Sequence, residues 1–118
     1  MTTKRSVEPL PWLLFSAGGV MAALFLPVLV FLFGVAFPLG GITAPTYGDL
    51  HSVQRSPLTI LVLFVVLMLS LFHAAHRFRY TLYDGLQIKH LNVPVAVVCY
   101  GGAILGTVAT LILLLQAR

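Results

Sequence analysis

The sequence is poor in charged residues. Only 8% of its 118 residues are Asp, Glu, Lys or Arg, whereas a soluble domain carries about 25%. Three acidic and seven basic residues give a formal net charge of +4, and the basic residues form no run. The scarcity of charge excludes an ordinary soluble domain, and the lack of a basic run argues against a nucleic-acid partner.

Cysteine is also scarce, because Cys99 is the only one in the chain. A single thiol excludes an internal disulfide, and its place in an apolar run predicts a packing role. The chain has neither Cys-x-x-Cys pairs nor a glycine-rich nucleotide loop. These absences argue against an iron–sulfur cluster or a nucleotide held by this chain alone, and no metal site is predicted.

Apolar residues make up 59% of the sequence, and no charged residue occurs between Pro9 and Gly48. A helix needs about 20 apolar residues to cross a bilayer. The sequence therefore predicts an all-α membrane protein, one domain over residues 1–118. Its transmembrane helices are expected at about 12–37, 57–78 and 93–116.

The expected helix boundaries carry recognisable signals. Pro38-Leu-Gly-Gly41 should end the first helix, and Pro57 suits the first turn of the second. Asn92 is the expected N-cap of the third helix, with Pro94 in its first turn. Small residues four apart, such as Gly18 and Ala22, predict close helix packing, either within the chain or against another subunit.

The distribution of basic residues predicts an orientation. On one side of the predicted spans lie Lys4, Arg5, Arg77, Arg79 and Lys89, and on the other lie Arg55 and Arg118. By the positive-inside rule, the N-terminus is cytoplasmic and the C-terminus outside. The alternative for the first span is a cleaved signal peptide, but the apolar run of this span is longer than the apolar region of a signal peptide.

The second predicted helix ends in a polar segment. Five polar residues fall within one sector of about 100° on a helical projection: His73, His76, Arg77, Tyr80 and Asp84. Arg79 is expected to point away from that sector and to serve as an orientation charge that snorkels to the interface. Four tyrosines near the span ends are expected to be aromatic-belt residues: Tyr47, Tyr80, Tyr83 and Tyr100.

At the start of the first helix, Trp12, Phe15 and Ser16 should lie at the same depth as His76 and Arg77. Aromatic, imidazole and guanidinium groups around a slot at the membrane face suit an amphipathic ligand with a flat polar head, and quinone is the candidate. An ordinary aromatic belt is the alternative. Haem b is disfavoured, because His73 and His76 lie three residues apart on one helix and cannot ligate one iron from both sides.

Three segments resemble a known family: "EPLPWLLFSAGG" (8–19), "FGVAFPLG" (33–40) and "HRFRYTLYD" (76–84). They are similar to the D subunit of bacterial quinol:fumarate reductase. The resemblance implies a non-catalytic anchor in the bacterial inner (cytoplasmic) membrane, with three spans and a cytoplasmic N-terminus. It also implies pairing with a second membrane anchor (the C subunit), and association with the iron–sulfur subunit and the flavoprotein subunit, which hold the clusters and the flavin.

The same resemblance implies a site for menaquinol or menaquinone at the subunit interface. Its expected quinone-binding residues are Trp12, Phe15, Ser16, His76 and Arg77. Further candidates are His73, Tyr80 and Glu8, the last as a carboxylate for proton uptake. No catalytic residue is expected in this chain.

Two alternatives remain open at this point. One is a haem-b-carrying succinate dehydrogenase anchor, because His73 and Asp84 have the spacing seen in its haem-ligand helix. The other is a small membrane transporter or assembly factor. No span centre carries a charge and no inverted repeat is evident, which argues against the second alternative.

Overall fold

The computed structural model describes residues 9–118, and these residues form helices joined by short connections, without a strand. The helices are α1 (Pro9–Phe31), α2 (Tyr47–Gln54), α3 (Pro57–Gly85) and α4 (Asn92–Gln116). Three stretches are long and apolar enough to cross a membrane: Pro9–Ala36, Pro57–Gly85 and Lys89–Gln116. The prediction of an all-helical chain with three such helices is confirmed.

The first span ends where its sequence predicts. After Phe31 the helix continues as a π-helical turn over Leu32–Ala36. Gly40 then adopts a left-handed conformation with φ +71°, and the Gly41 amide donates to the Ala36 carbonyl at 3.0 Å. Glycine reaches this conformation without steric cost, so it terminates the span and satisfies one of the last carbonyl groups.

α3 is longer than predicted, because it continues past the expected end at Phe78 to Gly85. No proline or glycine interrupts the segment before Gly85. Within it, the Arg79 Nε donates to the Tyr83 hydroxyl one turn later, at 2.7 Å. At 1.5 Å per residue, a helix of 29 residues is about 43 Å long and exceeds the ~30 Å hydrocarbon layer. The polar segment is therefore a helical extension rather than a loop.

The expected N-cap role of Asn92 is wrong. Leu91 occupies the N-cap position, after a 3₁₀ turn over Lys89–Leu91, and Asn92 is the first residue of α4. The Asn92 Oδ1 accepts hydrogen bonds from the Tyr83 hydroxyl at 2.6 Å and from the Arg79 guanidinium at 2.8 Å. The Asn92 side chain, which the sequence pattern predicts to cap α4, is thus bonded to two donors on α3 instead.

The short helix α2 was not predicted. Its N-cap Thr46 and Asp49 form a capping box, in which each side chain bonds to the other residue's backbone. The Thr46 hydroxyl and the Thr46 amide both donate to the Asp49 carboxylate, and these two hydrogen bonds lower the pKa of this exposed carboxyl. The Gln54 side chain then donates to the Leu114 carbonyl at 3.2 Å, which fixes α2 against the end of α4.

α3 lies at the centre of the chain and packs against both α1 and α4. Few side chains are buried, and they belong mainly to these contacts: Ala36, Ile60, Tyr83, Cys99 and Ala103. Gly18 and Gly19 of α1 lie directly against His73 of α3, so these small residues mediate packing within the chain. Since α1 and α4 both pack on α3, a cleft runs between them.

Most large apolar side chains point outward. Val98 and Leu105 of α4 are each 73% exposed, and Leu13 of α1 is 66% exposed. A soluble monomer does not expose apolar residues over most of its helical surface, because the water contact would cost too much free energy. The surface is that of a membrane protein whose helices contact lipid or other subunits.

Candidate functional site

The cleft between α1 and α4 contains a cavity of about 450 Å³. This volume lies in the range of small-molecule sites, which is about 300–1,000 Å³. α3 forms its floor, the first turns of α1 form one wall, and Tyr100 of α4 forms the other. The lining residues are Pro11, Trp12, Leu14, Phe15, Met68, Leu69, Phe72, His76, Tyr80 and Tyr100.

The floor of the cavity changes from apolar to polar along α3. Met68, Phe72, His76 and Tyr80 follow one another at four-residue intervals and therefore lie along one face of the helix. The first and last of these residues are separated by about 18 Å along the helix axis. One end of the cavity is thus apolar, and the other offers an imidazole and phenol hydroxyl groups.

His76 is the central polar residue of the cavity. Its Nδ1 lies 2.7 Å from the Tyr100 hydroxyl, a hydrogen bond that joins α3 to α4. The ring centroids of Phe15 and Tyr80 lie 4.6 and 4.9 Å from that of His76. In the described part of the chain, no hydrogen bond involves the Nε2 atom. His76 therefore retains one ring nitrogen for a ligand.

Trp12 lies at the same depth as His76, as the sequence predicts. Its ring centroid is 6.0 Å from that of His76 and 5.9 Å from that of Phe15, with both pairs edge-to-face. Trp12 is also 61% exposed, so one face of its ring stays free beside the cavity. Three of the five expected quinone-binding residues are thus brought together here.

The other two expected binding residues lie outside the cavity. Arg77 and Ser16 do not line it. Arg77 is one position beyond His76, so its side chain leaves α3 in a direction about 100° away. The quinone-binding roles of Arg77 and Ser16 remain predictions. Glu8, the candidate for proton uptake, lies outside the described residues.

His73 joins α1 to α3. Its Nδ1 lies 2.9 Å from the Phe15 carbonyl, and its ring stacks on the Phe15 ring with centroids 4.5 Å apart. On the next turn of α1, a Cβ atom at Gly19 would lie 2.8 Å from the His73 Cε1. His73 thus packs closely against the α1 backbone, and its place among the candidate quinone-binding residues remains a prediction.

Arg79 has partners within the chain that the sequence did not indicate, and its expected role as an orientation charge at the interface remains a prediction. Its guanidinium lies between α3 and α4, bonded to Tyr83 and Asn92. The Cζ atom is also 5.6 Å from the Tyr80 ring centroid, 5.3 Å from that of Tyr83 and 5.6 Å from that of Tyr100. Tyrosine rings attract cations at such distances, so Arg79 is held by an aromatic cluster.

Tyr83 is buried and Tyr100 is half-buried, and the hydroxyl of each bonds to another helix, a role that the expected aromatic belt does not include. Tyr83 is 6% exposed and donates to Asn92, and Tyr100 bonds to His76. One sequence feature could have predicted a hydrogen-bonded Tyr100: this residue lies well inside an apolar segment that begins at Val93. A hydroxyl group at that depth requires a partner, and α3 carries the nearest polar groups.

The comparisons with known proteins agree on one family. Residues 2–115 match the family model of the fumarate reductase D subunit. The fumarate reductase D subunit of Mycobacterium tuberculosis (strain ATCC 25618 / H37Rv) is 54% identical over 104 residues, 88% of this chain and 83% of that protein. The protein of the same name from Shewanella sp. (strain W3-18-1) is 37% identical over 115 residues, 96% and 93% of the two chains.

Proposed function

The chain belongs to the family of fumarate reductase D subunits and is a membrane anchor of a multi-subunit fumarate reductase, and we propose that it helps to form the quinol-oxidising site of that complex. The proposed partners are the second anchor (the C subunit), the iron–sulfur subunit and the flavoprotein subunit. The proposed location is the bacterial cytoplasmic membrane, with the N-terminus on the cytoplasmic side, and the proposed process is anaerobic respiration.

The observation that carries this proposal is the amphipathic cavity. A quinol has a flat ring with two hydroxyl groups and a long apolar tail, so its site needs hydrogen-bonding groups at one end only. The cavity offers His76, Tyr80 and Tyr100 at one end and Met68 and other apolar groups at the other. Its position between helices whose outer surfaces are apolar gives the tail a route to lipid.

The residues have distinct proposed roles at this site. Trp12 and Phe15 pack against the quinol ring, while the free His76 Nε2 and the Tyr80 hydroxyl bond to its oxygens. Menaquinol, the proposed substrate, gives up two electrons and two protons. The iron–sulfur clusters and the flavin of the partner subunits would carry these electrons to fumarate, whose reduction to succinate also takes up two protons. The contribution of this chain is to bind and orient the quinol.

Arg77 and Ser16 suit a site that is completed by a second subunit. Both belong to the same end of the molecule as the cavity, because each is the chain neighbour of a residue that lines it. A guanidinium here would reach a ligand or an acidic group only if this face were covered by a partner. We therefore keep Arg77 as a proposed quinone contact at the outer edge of the site.

The test compares two activities in membranes that carry the whole complex. One is fumarate reduction by quinol, and the other is fumarate reduction by an artificial soluble electron donor. His76→Gln should lower the quinol-linked activity by up to about tenfold, because a flexible amide does not hold a hydrogen-bonding atom where the fixed imidazole Nε2 lies. The soluble-donor activity should persist, because the catalytic subunits remain assembled.

Matched controls come from the opposite end of the molecule. His51 lies on α2 and Arg55 follows it, remote from the cavity. His51→Gln and Arg55→Leu should leave both activities unchanged, whereas Arg77→Leu should reduce only the quinol-linked one. If His76→Gln and Arg77→Leu both leave quinol oxidation intact, the proposed site is wrong. If only Arg77→Leu does so, the quinol lies wholly inside the cavity.

A further inference from the structure

We propose that Tyr100 is a positioning residue for quinol oxidation, acting through His76 and held in place by Arg79; this inference rests on the function proposed above. His76 carries one bonded and one free ring nitrogen, and the bonded one faces Tyr100 at 2.7 Å. Because the Tyr100 hydroxyl binds Nδ1, the free Nε2 is the atom that can bind a quinol oxygen.

A histidine in this position needs such a partner. The histidine χ2 torsion has broad energy wells, so an imidazole without a bonded nitrogen turns over a wide range. On the α1 side, the rings of Trp12 and Phe15 pack against His76 and limit its tilt, and within residues 9–118 neither ring forms a hydrogen bond to it. The Tyr100 hydroxyl is therefore the group that sets the direction of Nε2.

Tyr100 is itself held by the cation next to it. The Arg79 Cζ is 5.6 Å from the Tyr100 ring centroid. Hydrogen bonds to Tyr83 and Asn92, at 2.7 and 2.8 Å, fix the guanidinium between α3 and α4. The side chain that orients His76 thus belongs to a network that joins the two helices, and this network reaches one wall of the cavity.

The test is a double-mutant cycle on the whole complex in membranes, with quinol-linked and soluble-donor activities measured together. Tyr100→Phe keeps the ring and removes the hydroxyl group. It should lower the turnover number with quinol about fivefold, as expected for one net hydrogen bond. In a His76→Gln background the same substitution should have no further effect beyond about twofold, because the imidazole that Tyr100 orients is already absent.

Gln54→Leu is the matched control for a purely structural effect. It removes a side-chain hydrogen bond to the α4 backbone, at the Leu114 carbonyl, which lies outside the network of His76, Tyr100 and Arg79. Any loss that it causes should multiply with the loss from His76→Gln. If Tyr100→Phe behaves in the same multiplicative way, or leaves quinol turnover unchanged while His76→Gln lowers it, the positioning role is overturned and the proposed site stands.

Two other results are also decisive. If His76→Gln itself leaves quinol turnover intact, the function proposed for the cavity fails, and the role of Tyr100 fails with it. Tyr100→Met, a second variant without the hydroxyl, guards against a packing defect specific to phenylalanine. If both variants also lose the soluble-donor activity, Tyr100 supports assembly instead of orienting His76, and the proposal is overturned.

Discussion

Replacing Gly18 by alanine should separate α1 from α3 and destabilise the anchor. A Cβ atom at this position would lie 2.8 Å from the His73 Cβ and even closer to the Leu69 carbonyl oxygen. Carbon atoms pack best at about 3.5–4.0 Å, so the two helices would have to separate by about 0.7 Å or more. A backbone carbonyl of a helix cannot turn aside as a flexible side chain can.

The magnitude follows from two opposing terms. Overpacking of this kind costs about 1–3 kcal/mol, and the better helix propensity of alanine returns up to about 1 kcal/mol. Because the clash is with backbone, the cost should lie near the upper end of that range, about 3 kcal/mol, and the net destabilisation should be about 2 kcal/mol. The same movement would withdraw Phe15, one turn earlier in α1, from His73 and His76. We expect quinol-linked activity to fall together with stability.

The assay is heat inactivation of the purified complex, followed through its quinol-linked activity. Gly18→Ala should lose this activity at a temperature several degrees below that of the wild type. Gly102→Ala is the matched control, because a Cβ at this α4 position meets nothing within 4 Å. It should leave the midpoint unchanged or raise it slightly. Equal midpoints for the two variants would refute the close α1–α3 contact at Gly18.

Two further predictions concern charged residues. Arg79→Lys keeps the positive charge but loses the two bonds to Tyr83 and Asn92, so the complex should lose about 1–3 kcal/mol of stability and inactivate at a lower temperature. Full stability of the lysine variant would mean that the charge alone matters. The hydrogen bonds from Thr46 lower the pKa of Asp49 in the folded protein below its value in the unfolded chain. The stability that the Asp49 carboxylate gives to α2 is therefore complete above the unfolded-state pKa and declines as pH falls below about 4. The protection of the α2 amides, measured by hydrogen exchange relative to the intrinsic exchange rate at each pH, should fall over that range, and an Asp49→Ala variant should show no such fall.

Much of the architecture follows from the sequence alone. Three long apolar stretches predict three spanning helices, since a backbone in lipid must satisfy its hydrogen bonds within the helix. The Pro38–Gly41 stop and the Pro57 start are local signals, and the structure uses both. The juxtaposition of Trp12 with His76 also follows, because two antiparallel spans of known length bring their ends to the same depth.

Only the tertiary structure decided which side chains share the cavity. Helical periodicity gives the direction in which a side chain leaves its helix, but it does not say which neighbour covers that face. α4 covers the face with Arg79, so the guanidinium is drawn into hydrogen bonds within the chain. Tyr100 joins His76 for the same reason, because its partner lies on another helix, 24 positions away. Arg77 does not line the cavity, and its role as a quinone contact remains a prediction.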